Sequence, residues 1–137
     1  MLFAAGGLAA EITVYKSASC DCCSKWARYL EQKGFLVKTH DVADVSAYKD
    51  SYGVPAPLHA CHTAVVEGYV IEGHVPAEDI ERLLKERPAI TGLAVPGMPA
   101  GTPGMEGSTP AAFEVLSFDG NGEKSVYARH PAKPPAR

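Results

Sequence analysis

Basic side chains are in short supply here, and no apolar run suits a membrane span. Thirteen Lys and Arg stand against sixteen Asp and Glu over 137 residues, for a net charge of −3. The lysines and arginines are scattered, so nucleic acid finds no electrostatic footprint. The first ten residues carry no charged side chain, but ten is about half of what a helical span needs. No internal repeat and no domain boundary appears. A chain of this length accommodates one ordinary domain and not two. Glycine and proline are sparse until Arg87 and dense after it, which predicts a folded front and a loop-rich back.

The opening segment ends in Gly7-Leu-Ala-Ala10, like the close of a secretory signal with a small-residue cleavage site, although a basic start is missing. The expectation is export to the periplasm, with 1–10 a signal remnant; a frayed apolar N-terminus is the alternative. Export would put the cysteines in an oxidising compartment.

Glu11 to Lys16 alternates and is β-branched, which predicts a strand. Cys22 to Gly34 places Trp26, Tyr29 and Leu30 at helical spacing, with Gly34 as the stop. Phe35 to Val42 reads as a second strand, and Asp44 or Ser46 caps a short helix that ends before Gly53-Val-Pro55. Pro55 to His62 is a loop; Thr63 to Val66 and Tyr69 to Glu72 form a hairpin about Glu67-Gly68. Pro76 to Arg87 is an amphipathic helix ended by Pro88. This β-α-β-α-β-β-α order predicts an α/β, thioredoxin-like fold: a four-stranded mixed sheet with flanking helices. Residues 92–107 repeat Gly and Pro too often for regular structure. Asp119-Gly-Asn-Gly122 between two apolar segments signals a C-terminal β-hairpin. A single domain over 11–130 and a disordered tail at 131–137 complete the expectation.

Cysteine is scarce in number and concentrated in place: three of four lie in Cys20-Asp-Cys-Cys23. They fall where the first strand meets the first helix. Unpaired N–H groups and the helix dipole favour thiolate there. A thiol–disulfide enzyme needs two sulfurs, and a third offers wrong pairings. Soft cuprous copper gains from it, because thiolates bridge several ions. Adjacent Cys22 and Cys23 suit different ions better than one tetrahedral zinc. Purely structural disulfides, such as Cys20–Cys23 with Cys22–Cys61, are the alternative.

Cys61 lies in Ala60-Cys-His-Thr63, in the loop that the thioredoxin plan sets opposite the first-helix cysteines. The proline usual there is replaced by His62-Thr63. The candidate metal ligands are therefore Cys20, Cys22, Cys23, Cys61 and His62. His59, His74, Met98 and Met105 are secondary candidates that spacing alone does not decide. The thioethers suit cuprous copper, but methionine more often fills hydrophobic gaps. The methionine loop is long enough to fold over the cysteines as a lid. His40 and His130 look ordinary.

Cys20-Asp-Cys-Cys23, Cys61-His-Thr63, Glu72-Gly-His-Val-Pro76 and Gly92 to Pro99 with Gly104-Met-Glu106 resemble the CopG-type periplasmic copper-resistance proteins, long a domain of unknown function. The likeness runs from Ile12 to Phe118. It implies a thioredoxin-like fold, periplasmic location, copper at the cysteines and interconversion of cuprous and cupric ions. Copper ions are the expected partners, with other periplasmic copper-handling proteins or an efflux system beside them. The alternative is a thiol–disulfide oxidoreductase using Cys20 and Cys23. Whether the chain is an enzyme is left open between a copper oxidoreductase and a carrier or store.

Overall fold

The computed structural model of the chain describes residues 10–97, 99, 102–103 and 111–132. Seven strands and three α-helices follow in the order β1 (Glu11–Lys16), α1 (Asp21–Gln32), β2 (Leu36–Asp41), α2 (Val45–Ser51), β3 (Thr63–Val66), β4 (Tyr69–Glu72), α3 (Ala77–Glu86), β5 (Gly92–Ala94), β6 (Phe113–Phe118) and β7 (Lys124–His130). A 3-10 turn at Ala56–Leu58 interrupts the loop before β3. Among the described residues no helix is long and apolar enough to cross a membrane.

All seven strands form one sheet in the order β2-β1-β3-β4-β5-β6-β7. Helix α1 joins the parallel pair β1 and β2, and α3 joins the parallel pair β4 and β5. Parallel neighbours need such a crossover, because a tight turn cannot reverse the chain twice. The remaining neighbours are antiparallel. The β3–β4 turn has both central residues at positive φ, Glu67 at 47° and Gly68 at 89°. That is the turn whose twist matches a two-residue hairpin.

The expected four-stranded sheet is therefore corrected to seven strands. The error lay at Gly92–Ala94, which the density of Gly and Pro had marked as irregular. These three residues are buried and pair in parallel with Val70–Glu72. They also pair with Leu116–Phe118, so the C-terminal hairpin is bonded into the main sheet. A three-residue strand gives too little pattern to show against its flanks.

Alternation of side chains about the sheet separates two cores. On one face Ile12, Val14, Ile71 and Leu93 pack with Trp26 and Leu30 of α1 and Ile80 and Leu83 of α3. On the other Val54 and Leu58 pack with Val70, Ala94 and Phe118. Both α1 and the β3 approach reach the same end of the sheet, where β1 ends and β3 begins. The site lies at that end.

Candidate metal centre

Cys20 is the N-cap of α1, held by its N–H donating to the Ser17 carbonyl at 3.1 Å. One helical turn then brings Cys23 back beside it, with a Cα–Cα distance of 5.5 Å, and their sulfurs form a disulfide. Cys22 and Cys61 are free thiols. The Cys20 and Cys22 sulfurs are 3.5 Å apart. Cys61 arrives from the loop before β3, and all four sulfurs lie within 4.8 Å of one another.

Two imidazoles close on the same sulfurs. His62 Nδ1 is 3.3 Å from Cys61 Sγ and 3.4 Å from Cys23 Sγ. His74 Nε2 is 3.2 Å from Cys61 Sγ, and its Nδ1 bonds the Pro103 carbonyl. A carbonyl only accepts, so Nδ1 carries the proton and the Nε2 lone pair faces Cys61. Cys23, Cys61, His62 and His74 thus make a second group whose ligand atoms also lie within 4.8 Å of one another. Trp26 stacks on His62 at 4.2 Å between ring centroids and donates its Nε1–H to the Val75 carbonyl.

Burial sets the protonation of these groups. Desolvation, aided by the charge of Cys22, pushes the Cys61 thiol up to about 12. The first-helix cysteines were expected to favour thiolate; Cys61, outside the helix, is instead a thiol, and its S–H has the His74 lone pair as acceptor. Desolvation lowers His62 well below its ordinary range, and the nearby Lys49 ammonium adds to it. His62 is therefore neutral, the form that ligates metal. Its Nε2 has no well-formed hydrogen-bond partner among the described residues. A first prediction follows. In metal-free protein, alkylation of Cys61 should climb about tenfold per pH unit between 7 and 10 without a plateau, read by mass spectrometry of its peptide. A plateau below pH 9 would contradict the burial argument.

Beneath the Cys61 loop lies a buried ion pair. Lys49 Nζ meets Glu72 Oε2 at 2.7 Å, with both side chains nearly inaccessible. The Ala60 N–H donates to the same oxygen at 2.8 Å, and the Thr63 hydroxyl donates to Oε1 at 2.6 Å. Gly73, at φ +80°, lets β4 turn into His74; a Cβ there would sit 2.5 Å from the Val95 carbonyl oxygen. Residues flanking Cys61, His62 and His74 are thereby fixed.

Cys20, Cys22, Cys23, Cys61 and His62 all meet, and His74 joins them. His59 does not: its Nε2 contacts the Val54 carbonyl at 3.0 Å. Met98 and Met105, and the lid expected of their loop, lie outside the described residues. Lys49, Glu72, Thr63 and Trp26 were not foreseen as parts of the site. The donors suit a soft or borderline ion, because they are sulfur and imidazole nitrogen. Glu72, two residues before His74, has both oxygens engaged elsewhere.

Two solved structures, titled "Copper resistance protein copG", Form 2 and Form 1, match the chain. They are 45% and 44% identical, cover 90% and 91% of it and 100% of themselves, and superpose with TM-scores of 0.86 and 0.85. The chain belongs to the CopG copper-resistance family. A family model described as "Protein of unknown function, DUF411" matches residues 58–105. That segment carries Cys61, His62 and His74 but not the first three cysteines. No curated protein matches it.

Proposed function

We propose that this chain handles copper in the periplasm, binding cuprous ions through Cys20, Cys22, Cys23 and Cys61 with His62 beside them. The convergence of three sulfurs from one helical turn with a fourth from a distant loop carries this reading. Four thiolates so close favour bridging of several ions over a single tetrahedral one. Family membership supports copper as the metal. The β1-α1-β2 crossover, with β3 antiparallel beside β1 and α3 on the α1 face, supports a thioredoxin-like plan for strands β1 to β4.

The same sulfurs allow redox conversion. Two thiolates give two electrons on forming the Cys20–Cys23 disulfide, and two cupric ions take one each to become cuprous. Reduction of the disulfide by an external thiol reverses the protein half. The disulfide also favours a second reading, a thiol–disulfide oxidoreductase that needs no copper.

Anaerobically reduced protein titrated with cuprous ion against a competing chelator separates these. More than one ion per chain is expected, with uptake reduced by Cys22→Ser or Cys61→Ser. No uptake, together with disulfide-reductase activity that survives both changes, would leave the second reading standing.

A further inference from the structure

On the face of the sheet that α2 covers, four aromatic rings lie nearly parallel, with Tyr15 at their centre. Its ring stacks with Tyr48 at 4.3 Å between centroids, with His40 at 5.6 Å and with Tyr52 at 6.0 Å. Tyr15 and His40 are neighbours in the β1–β2 register. Tyr48 in α2 and Tyr52 at its C-cap are four residues apart, so they share one side of the helix. His40 is exposed and the three tyrosines are half-buried. Each ring therefore keeps part of itself in solvent.

Rows of rings like this take unstacked bases, cationic ammonium groups or proline-rich chains in the polyproline II form. Local charge decides against bases. The exposed charges of α2 and its cap, Asp44 and Asp50, are both acidic, since Lys49 is turned inward onto Glu72. Asp44 is the N-cap of α2, yet its carboxylate makes no capping hydrogen bond. It stands four residues before Tyr48, at the end of the tyrosine stripe. A carboxylate beside an aromatic row suits a proline-rich segment that also carries a basic residue.

This sequence contains such a segment, which no part of the metal centre uses. Pro131-Ala-Lys-Pro-Pro-Ala-Arg137 holds three prolines, two basic residues and no acid; its residues 133–137 lie outside the described ones. Proline fixes φ near the polyproline II value, so docking orders little that is not already set. The tail is poorly placed for its own rings. Seven residues in that form extend about 22 Å. The tail follows β7, five strand spacings from β1, or about 24 Å away. We infer that the tyrosine row is a docking surface for the proline-rich basic tail of a second copy of this chain. A tail given to one neighbour and a row taken by another make a head-to-tail contact, which grows into short chains and not a closed pair. So small a contact forms only at high protein concentration. Nothing in it depends on the copper function.

NMR of the tyrosine rings in the full chain, followed from micromolar to millimolar concentration, tests this. Signals of Tyr15, Tyr48 and Tyr52 should shift together, while buried Tyr69 stays fixed as the control. Sedimentation over the same range should show species larger than a dimer. Pro134→Ala with Pro135→Ala should weaken the association about fivefold or more. Asp44→Asn with Asp50→Asn, or Lys133→Glu with Arg137→Glu, should weaken it about threefold or more. All six positions are exposed or in the tail, so these variants keep the packed core. Ring signals that do not move up to millimolar concentration would overturn the proposal. So would association that survives the tail changes, because the rings would then meet some other surface. A single-stranded oligonucleotide that shifts the three rings at lower concentration than the chain itself would overturn it as well.

Discussion

Glu72→Ala should destabilise the protein by about 3–5 kcal/mol, because it strands the Lys49 ammonium in a dry interior. Lys49 has two side-chain partners, the Glu72 carboxylate at 2.7 Å and the Thr63 hydroxyl at 3.1 Å. Removing Glu72 also orphans the Ala60 N–H and frees the Thr63 hydroxyl. For a domain of this size the loss lowers Tm by on the order of 10 °C or more, read by thermal or urea unfolding. The pair is not thereby shown to be stabilising in itself. A buried ion pair replaced as a whole often leaves stability near where it was. The double variant Lys49→Met with Glu72→Gln keeps a carbonyl oxygen for the Ala60 N–H, turns an amide N–H donor toward the Thr63 hydroxyl and removes both charges, so it should recover most of the loss. Its metal uptake is the informative number. Ala60 and Thr63 bracket Cys61 and His62, and Glu72 stands two residues before His74. If the charged triangle fixes that loop, the double variant should melt near the parent yet bind cuprous ion at least tenfold more weakly. Equal affinity would make the triangle a fold element only.

Much of this site was legible because its ligands are rare residue types at rare spacing. Three cysteines in four positions at a strand–helix junction need no tertiary information to be singled out. Cys61 could be set opposite them only through an assumed topology, and the hairpin about Glu67-Gly68 made that topology firm. Thr63 and Glu72 face each other across that hairpin, so a carboxylate amid Tyr69-Val-Ile was a visible anomaly. Lys49 gave no such sign. It sits in α2 among Ser46, Asp50 and Ser51, where a lysine normally points to water, and only the way α2 lies across the sheet buries it. Trp26 was marked as core by its spacing, but its stacking on His62 depends on how α1 meets the β3 loop. Strand β5 was hidden for a different reason. Gly92 is required where it passes within contact of Val70, and that same glycine reads locally as a breaker.

The other large effect expected is on the Cys20–Cys23 redox couple. Bound as proposed, cuprous ion would compete with the disulfide for the same two sulfurs, since a disulfide sulfur is a poor ligand and a thiolate a good one. Anything that binds only the reduced form stabilises it by RT ln(1 + [L]/Kd). For a two-electron couple a factor of ten is about 30 mV. Holding free cuprous ion at a hundred times Kd should therefore raise the midpoint by about 60 mV for each ion bound. Equilibration in thiol redox buffers, with the free metal set by a chelator and the thiols trapped for mass spectrometry, measures the shift. An unmoved midpoint under cuprous copper would mean that the ion does not use the Cys20 and Cys23 thiolates.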